Sequence, residues 1–244
     1  MAQRRGPRNC TIIGRLAFIA LFFLAWNASA ETEIVHAEDY DSFWLWAGVE
    51  PQAPLLKARE IYVLAGEVSD RGRPHIIAQR SSVPHVVGPD VWIVYRAQTI
   101  EWNEAVFANI LNHMERWRAA GNHVVGLQID FDSGTKHLDR YAAFLKVVRT
   151  RLPQDFRLSV TGLLDWSVNG DTASLRALSG LVDEVVLQTY QGRRVIPNYS
   201  VYVDNLGRMK QPFRVGLLQG VDWHPPSDLA VNPYFRGYVV FLRN

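Results

Sequence analysis

Cysteine is almost missing from this chain of 244 residues. Its one cysteine, Cys10, falls near the start, so the rest can use neither disulfides nor thiolate–metal chemistry and needs a large apolar core instead. Long apolar runs are also missing after residue 30, which excludes a membrane-spanning helix in the body of the chain. Basic stretches with interleaved aromatics do not occur, which argues against nucleic acid as a partner. The histidines His36, His75, His85, His113, His123, His137 and His224 have no close metal-ligand spacing. Nucleophile elbow, phosphate loop and dinucleotide fingerprint are absent too. No cofactor and no metal are expected on these grounds. The one oxygen-ligand pattern is the D-x-D of Asp130 and Asp132 with Gln128, which can hold Mg²⁺ or Ca²⁺.

What is there begins with a leader. Residues 1–30 read as a secretory signal peptide: Arg4, Arg5, Arg8 and Arg15 are basic, 16–26 is an apolar run short for a membrane span, and Ala28-Ser29-Ala30 is a small-x-small cleavage site. An uncleaved anchor is the rival reading, because Ile12 and Ile13 lengthen the apolar run. Cleavage predicts an exported protein, periplasmic or extracellular, with no membrane attachment. Removing 30 of the 244 residues leaves 214, enough for one sizeable domain; 31–42 reads as an extended lead-in and 43–244 as that domain. Taking the four leader arginines from the 26 basic residues leaves 22 against 24 acidic ones, so the mature chain is nearly neutral. Seven of the eight tryptophans lie beyond the leader, and indoles stack on sugars as well as fill cores.

Eight runs rich in Val, Ile, Leu and aromatics follow in order, at 43–49, 60–68, 91–97, 124–132, 156–166, 183–190, 213–220 and 236–242. Between them, 101–120 carries Val106, Ile110, Met114 and Trp117 on one helical stripe, with Gly121-Asn122 as its stop. A second helix is predicted over 138–152, a shorter one over 172–181 and a weaker one over 201–210. Strand–helix alternation with eight strands predicts an α/β fold, an irregular (β/α)₈ TIM-type barrel. It is irregular because 51–59 has room for one or two helical turns only, while 69–90 and 221–234 are rich in proline and read as loops or hairpins. No closing C-terminal helix is expected after the eighth run.

The chain is organised around 123–133, HVVGLQIDFDS. At strand period, Val125, Leu127, Ile129 and Phe131 share one face, and Gln128, Asp130 and Asp132 share the other. Under helical cover the polar side is confined. Two carboxylates two residues apart repel each other when both are ionised, so one is expected to titrate high. The alternative is that they end a strand and cap the next helix. In such barrels the site is built after the carboxyl ends of the strands. There the sequence places Trp46, Glu67, Arg96, Gln128, Asp130, Asp132, Asp165, Trp166, Gln188, Tyr190 and Gln219. A rim of acids, amides and aromatics suits hydroxyl-rich ligands. Arg96 either contacts such a ligand or neutralises one of the paired acids.

Strand four, GLQIDFD, resembles the fourth-strand signature of the family 18 glycoside hydrolases, the chitinases and their relatives, where alternating acids lead to a catalytic glutamate. VDEVVLQTYQ is similar to that family's sixth strand, where a tyrosine faces the substrate. The whole mature chain, with FWLWAGV and EIYVLAGEV, resembles more closely an exported bacterial barrel family, domain of unknown function 3142, whose name carries no activity. The family 18 resemblance implies Asp132 as general acid, Asp130 as its assisting aspartate and Tyr190 as the substrate-facing tyrosine, with the substrate's own 2-acetamido carbonyl attacking the anomeric carbon. The chain departs from that pattern at Val125 and Gln128, which replace earlier acids, and at Gln191, which follows the tyrosine. Asp132 is also one methylene shorter than glutamate, and a displacement of about 1 Å can cost on the order of 100-fold in rate. Pairing of Asp132 with Asp165 or Glu67, for ordinary two-carboxylate hydrolysis, is the alternative.

These readings converge on an exported glycoside hydrolase-like protein acting on a polysaccharide or oligosaccharide. Its expected catalytic residues are Asp132, Asp130 and Tyr190, with substrate contacts from Gln128, Trp166, Asp165, Gln188, Glu67, Arg96, Trp46 and Gln219. A non-catalytic carbohydrate-binding barrel and an assembly barrel without glycan binding remain the other readings.

Overall fold

The computed structural model describes Met1 and residues 33–46 and 48–244; the signal peptide expected at 1–30 lies outside the described residues, apart from Met1. Each of the eight apolar runs forms a strand: β1 (Ser42–Leu45), β2 (Glu60–Ser69), β3 (Asp90–Ala97), β4 (Val124–Asp130), β5 (Arg157–Leu163), β6 (Glu184–Gln188), β7 (Phe213–Leu218) and β8 (Phe235–Phe241). All eight run parallel, and β8 pairs back onto β1, so the sheet closes into a barrel. Closure explains the composition of the runs: both faces are buried, one inside the barrel and one under helices, so long apolar stretches replace simple alternation.

Inside, Trp44, Tyr62 and Trp92 lie side by side on β1, β2 and β3, with the Tyr62 and Trp92 rings stacked at 5.6 Å. Gly126 of β4 makes room for them: a Cβ there would meet the Trp92 ring at 2.5 Å and the Arg157 carbonyl at 2.3 Å. At the amino ends of the strands the interior turns polar. Glu184 accepts hydrogen bonds from Tyr62 at 2.7 Å, Ser159 at 3.0 Å and Arg214 at 3.1 Å. Arg214 also pairs with Glu60. This charged floor was not singled out in the sequence, because its members are scattered over β2, β5, β6 and β7 and lie far apart in the chain.

On the outer face α1 (Glu104–Ala119) buries Val106, Ile110, Met114 and Trp117 as its stripe predicts. Asn103 caps it by accepting from the Val106 amide at 3.1 Å, and Gly121, with φ of 87°, ends it. Next come α2 (Leu138–Arg151), α3 (Asp165–Asn169), α4 (Thr172–Ser179) and α5 (Tyr199–Val203). β5 ends at Leu163 rather than at 166, because the chain turns into α3 there. The fourth predicted helix begins earlier and is shorter than 201–210. The crossover at 69–90 holds a strand, His75–Ala78, antiparallel to the end of β2. The lead-in is not merely extended. Glu33–Ile34 pairs with Asp222–Trp223, Val35 and Ala37 are buried, and Tyr40 packs edge-on against Tyr238 at 5.6 Å. It therefore covers wall that the helix-poor seventh crossover leaves open. Among the described residues no helix is long and apolar enough to cross a membrane.

Candidate functional site

Where β1, β3, β4, β5 and β6 end, a cavity of about 610 Å³ is lined by Trp46, Arg96, Asp130, Asp132, Asp165, Gln188 and Tyr190. Seven of the eleven residues expected at the site thus share one cavity. Leu163, Leu164, Gln191, Gly192, Ile196 and Tyr202 complete its wall. None of these six was singled out as a site residue. Tyr202 stands on α5, whose helical pattern is weak, and the others lie in loop or strand-end positions without distinctive chemistry.

Asp130 is the last residue of β4, and its side chain turns inward with 6% exposure. The Thr161 hydroxyl of β5 donates to its Oδ1 at 3.0 Å and accepts from the Phe131 amide at 3.1 Å. Burial, followed by the charge of Asp132, pushes the Asp130 carboxyl from 3.8 up to about 6. The Thr161 hydrogen bond and the charge of Arg96 oppose this and do not win. Asp132 lies two residues on, past the strand end, and is exposed to the cavity mouth. The carboxylate that titrates high is therefore Asp130.

A bulge in β2 between Leu64 and Gly66 shifts its register so that Glu67 stands opposite Arg96, which in turn stands opposite Asp130. Arg96 lies over the Trp46 ring at 5.5 Å and, among the described residues, forms no ion pair. It does not neutralise the acids outright. Tyr190 packs its ring on Phe241 at 5.4 Å, and its buried hydroxyl makes no well-formed hydrogen bond among the described residues, although the Gln188 side chain stands close enough to act on it. Burial, followed by the charge of Asp130, holds that hydroxyl well above its usual range, so it stays a donor.

Four expected contacts are placed elsewhere. Gln128 lies one layer below Asp130, level with Leu64, Val94 and Ser159, and donates to Ser159 at 2.9 Å deep in the barrel. Trp166 is fully buried: α3 rotates its indole away from the cavity, where it donates to the Ser133 carbonyl at 2.8 Å and packs against Tyr141. It is a core residue rather than a sugar-stacking wall. Gln219 donates to Gln52 at 2.8 Å and accepts from the Arg243 amide at 2.9 Å, clamping two loops away from the cavity lining. Glu67 accepts from Gln98 and acts on Asp130 only through its charge. Behind the acids stands Tyr141 of α2, fully buried, its hydroxyl without a partner among the described residues; its helical spacing marks it as core and gives no hint of that neighbourhood. Among the described residues no group of three His, Cys, Asp or Glu is placed to hold a metal ion.

An acid-bearing cavity at the carboxyl end of a closed (β/α)₈ barrel defines the class to which this chain belongs by fold. Residues 95–195, from β3 to just past β6, match the family model described as domain of unknown function (DUF3142), as the sequence resemblance implies. No curated protein matches the chain. Among solved structures, the chain is similar to the spore cortex-lytic enzyme SleL of Bacillus cereus, with a TM-score of 0.50 and 16% identity over 72% of this chain and 49% of that one. It therefore spans about half the length of that enzyme. It is also similar to the xylanase and alpha-amylase inhibitor protein XAIP-II of Scadoxus multiflorus, with a TM-score of 0.50 and 12% identity over 82% and 92% of the two chains. The GH18 chitinase ChiB of Flavobacterium johnsoniae aligns with a TM-score of 0.44 and 10% identity over 82% and 86%. At these identities the likeness is one of fold.

Proposed function

We propose that the cavity binds a glycan and cleaves it, with Asp132 as general acid and Asp130 as the carboxyl that assists it. The observation that carries this reading is the meeting of Asp130, Asp132, Tyr190 and Gln188 with the Trp46 indole in one cavity. Asp132, open to the cavity mouth, is the acid able to reach a glycosidic oxygen. Asp130, raised to about 6, carries a proton in mildly acidic solution; when ionised, it faces a cationic sugar intermediate with negative charge. The Tyr190 hydroxyl and the neighbouring Gln188 amide supply hydrogen bonds to ligand oxygens, and Trp46 offers a stacking face. The reading includes an exported protein, because the leader has the form of a cleaved signal, and a single domain over 43–244. Support for a glycan substrate comes also from the fold shared with an enzyme named as cortex-lytic.

The test is release of reducing ends from cell-wall and exopolysaccharide fragments by the purified protein, alongside Asp132→Asn. Turnover that disappears in the variant supports the proposal; turnover unchanged in the variant sinks it. A second reading, carbohydrate binding without cleavage, is favoured by two observations: the acid at 132 is a methylene shorter than glutamate, and the barrel is shared with a protein named as an inhibitor. That reading predicts glycan retention that survives Asp132→Asn and is lost on Trp46→Ala.

A further inference from the structure

A second cleft, of about 590 Å³, lies on the outer wall of the barrel between the His75–Ala78 strand and α1. Its polar lining comes from Arg80, Ser81, Ser82, Tyr95, Asn109, Asn112, His113 and Arg116, with no acidic residue among the described ones. We propose that this cleft binds an oxyanion, a carboxylate or a phosphate, between the guanidinium groups of Arg80 and Arg116 and the hydroxyl of Tyr95.

Three observations carry this. First, Arg80 is half-buried, and its Nε donates to the Leu64 carbonyl at 3.1 Å, which fixes the guanidinium and leaves its terminal nitrogens unengaged among the described residues. Burial pulls its pKa down, the mark of a desolvated cation without a counter-charge, and an anion offsets that cost. Second, Arg116 forms no ion pair among the described residues, and its charge reaches both His113 and Tyr95. Third, the hydrogen-bond chain behind the cleft fixes where one proton points. The Trp117 indole, a donor only, donates to His113 Nε2 at 3.0 Å. That nitrogen must be bare, so neutral His113 carries its proton on Nδ1 and donates it to the Tyr95 oxygen at 2.6 Å. Burial and Arg116 keep the imidazole neutral. The Tyr95 O–H, its oxygen already accepting, is left to donate toward the cleft that Arg80 and Arg116 also line. Gly66 is required behind it, since a Cβ there would meet the Tyr95 ring at 2.8 Å. Two bidentate cations and a neutral donor with no local acceptor charge are the recognition chemistry of an oxyanion.

The experiment follows the Trp117 indole N–H by NMR while inorganic phosphate, or in a second arm glucuronate, is added to the full chain at constant ionic strength. A saturable shift in either arm is expected, with the arm that saturates first naming the carboxylate or the phosphate as the preferred group. Arg116→Gln, on an exposed helix position and so harmless to the fold, should weaken that binding about ten-fold, as should Arg80→Gln. Absence of a saturable shift with both anions, or equal affinity in Arg116→Gln and the unmodified protein, overturns the proposal.

Discussion

The Thr161 hydroxyl reaches from β5 to Oδ1 of Asp130 across 3.0 Å and accepts the Phe131 amide in return. One side chain thereby fixes the orientation of the buried acid and the backbone path that carries Asp132 to the cavity mouth. A hydroxyl that both donates and accepts suits a place where the carboxyl changes its protonation state.

Asp130 ionises near 3.8 in the unfolded chain and near 6 in the folded protein. Between those values the folded state binds more protons, so stability falls as pH rises through that window and the full penalty is present above it. Asp130→Asn removes the penalty while its amide oxygen still accepts from Thr161. Its melting temperature at pH 7.5 should exceed that of the unmodified protein by an amount equivalent to about 1–3 kcal/mol, and the difference should vanish near pH 4. A variant less stable at pH 7.5 contradicts this assignment.

Tyr190→Phe deletes a buried hydroxyl that makes no well-formed hydrogen bond among the described residues, with only a weak contact to Gln188 beside it. Removing an unsatisfied polar atom is neutral or stabilising, so thermal denaturation should show no loss. Glycan affinity or turnover should nevertheless fall about ten-fold or more. Equal losses of stability and of glycan handling would mean that the hydroxyl serves the fold.

The two tryptophans that the sequence places at the candidate site separate cleanly. Trp166→Ala empties a fully buried position and breaks the bond to Ser133, which costs about 3–5 kcal/mol in a denaturant titration. Trp46→Ala, half-buried on the cavity wall with Arg96 above it, should melt close to the unmodified protein yet no longer retain glycan on an affinity column.

At the barrel floor, Arg214→Met leaves Glu184 and Glu60 without their shared cation. Breaking a buried ion network from one side costs about 3–5 kcal/mol, and chemical denaturation should register it. Restoration of stability is expected when Glu184→Gln and Glu60→Gln are added, because no unpaired charge then remains.

The barrel was legible because each strand is buried on both faces, and such strands announce themselves as apolar runs whatever their neighbours do. The lining of the candidate cavity was legible as far as strand-end position alone decides orientation: Arg96, Asp130, Gln188 and Tyr190 follow from inward alternation. It failed where a chain turn intervenes. Trp166 sits one residue after Asp165, yet α3 begins between strand and indole and sends the ring into the core. Gln128 obeys the alternation and is simply a layer too deep, a distance along the barrel axis that side-chain period does not report. Gln219 was drawn away by contacts with Gln52 and Arg243, far apart in the chain. That one acid of the pair titrates high was readable from their spacing; that it is Asp130 depended on where β4 ends.

The most direct measurement is the release of reducing ends from glycan fragments at pH 5.5 by the unmodified protein and by Asp132→Asn, with glycan binding measured on the same samples. The account predicts turnover by the former, a loss of at least about 100-fold in the latter, and binding retained by both. Binding by both with turnover by neither, or turnover equal in the two, contradicts it.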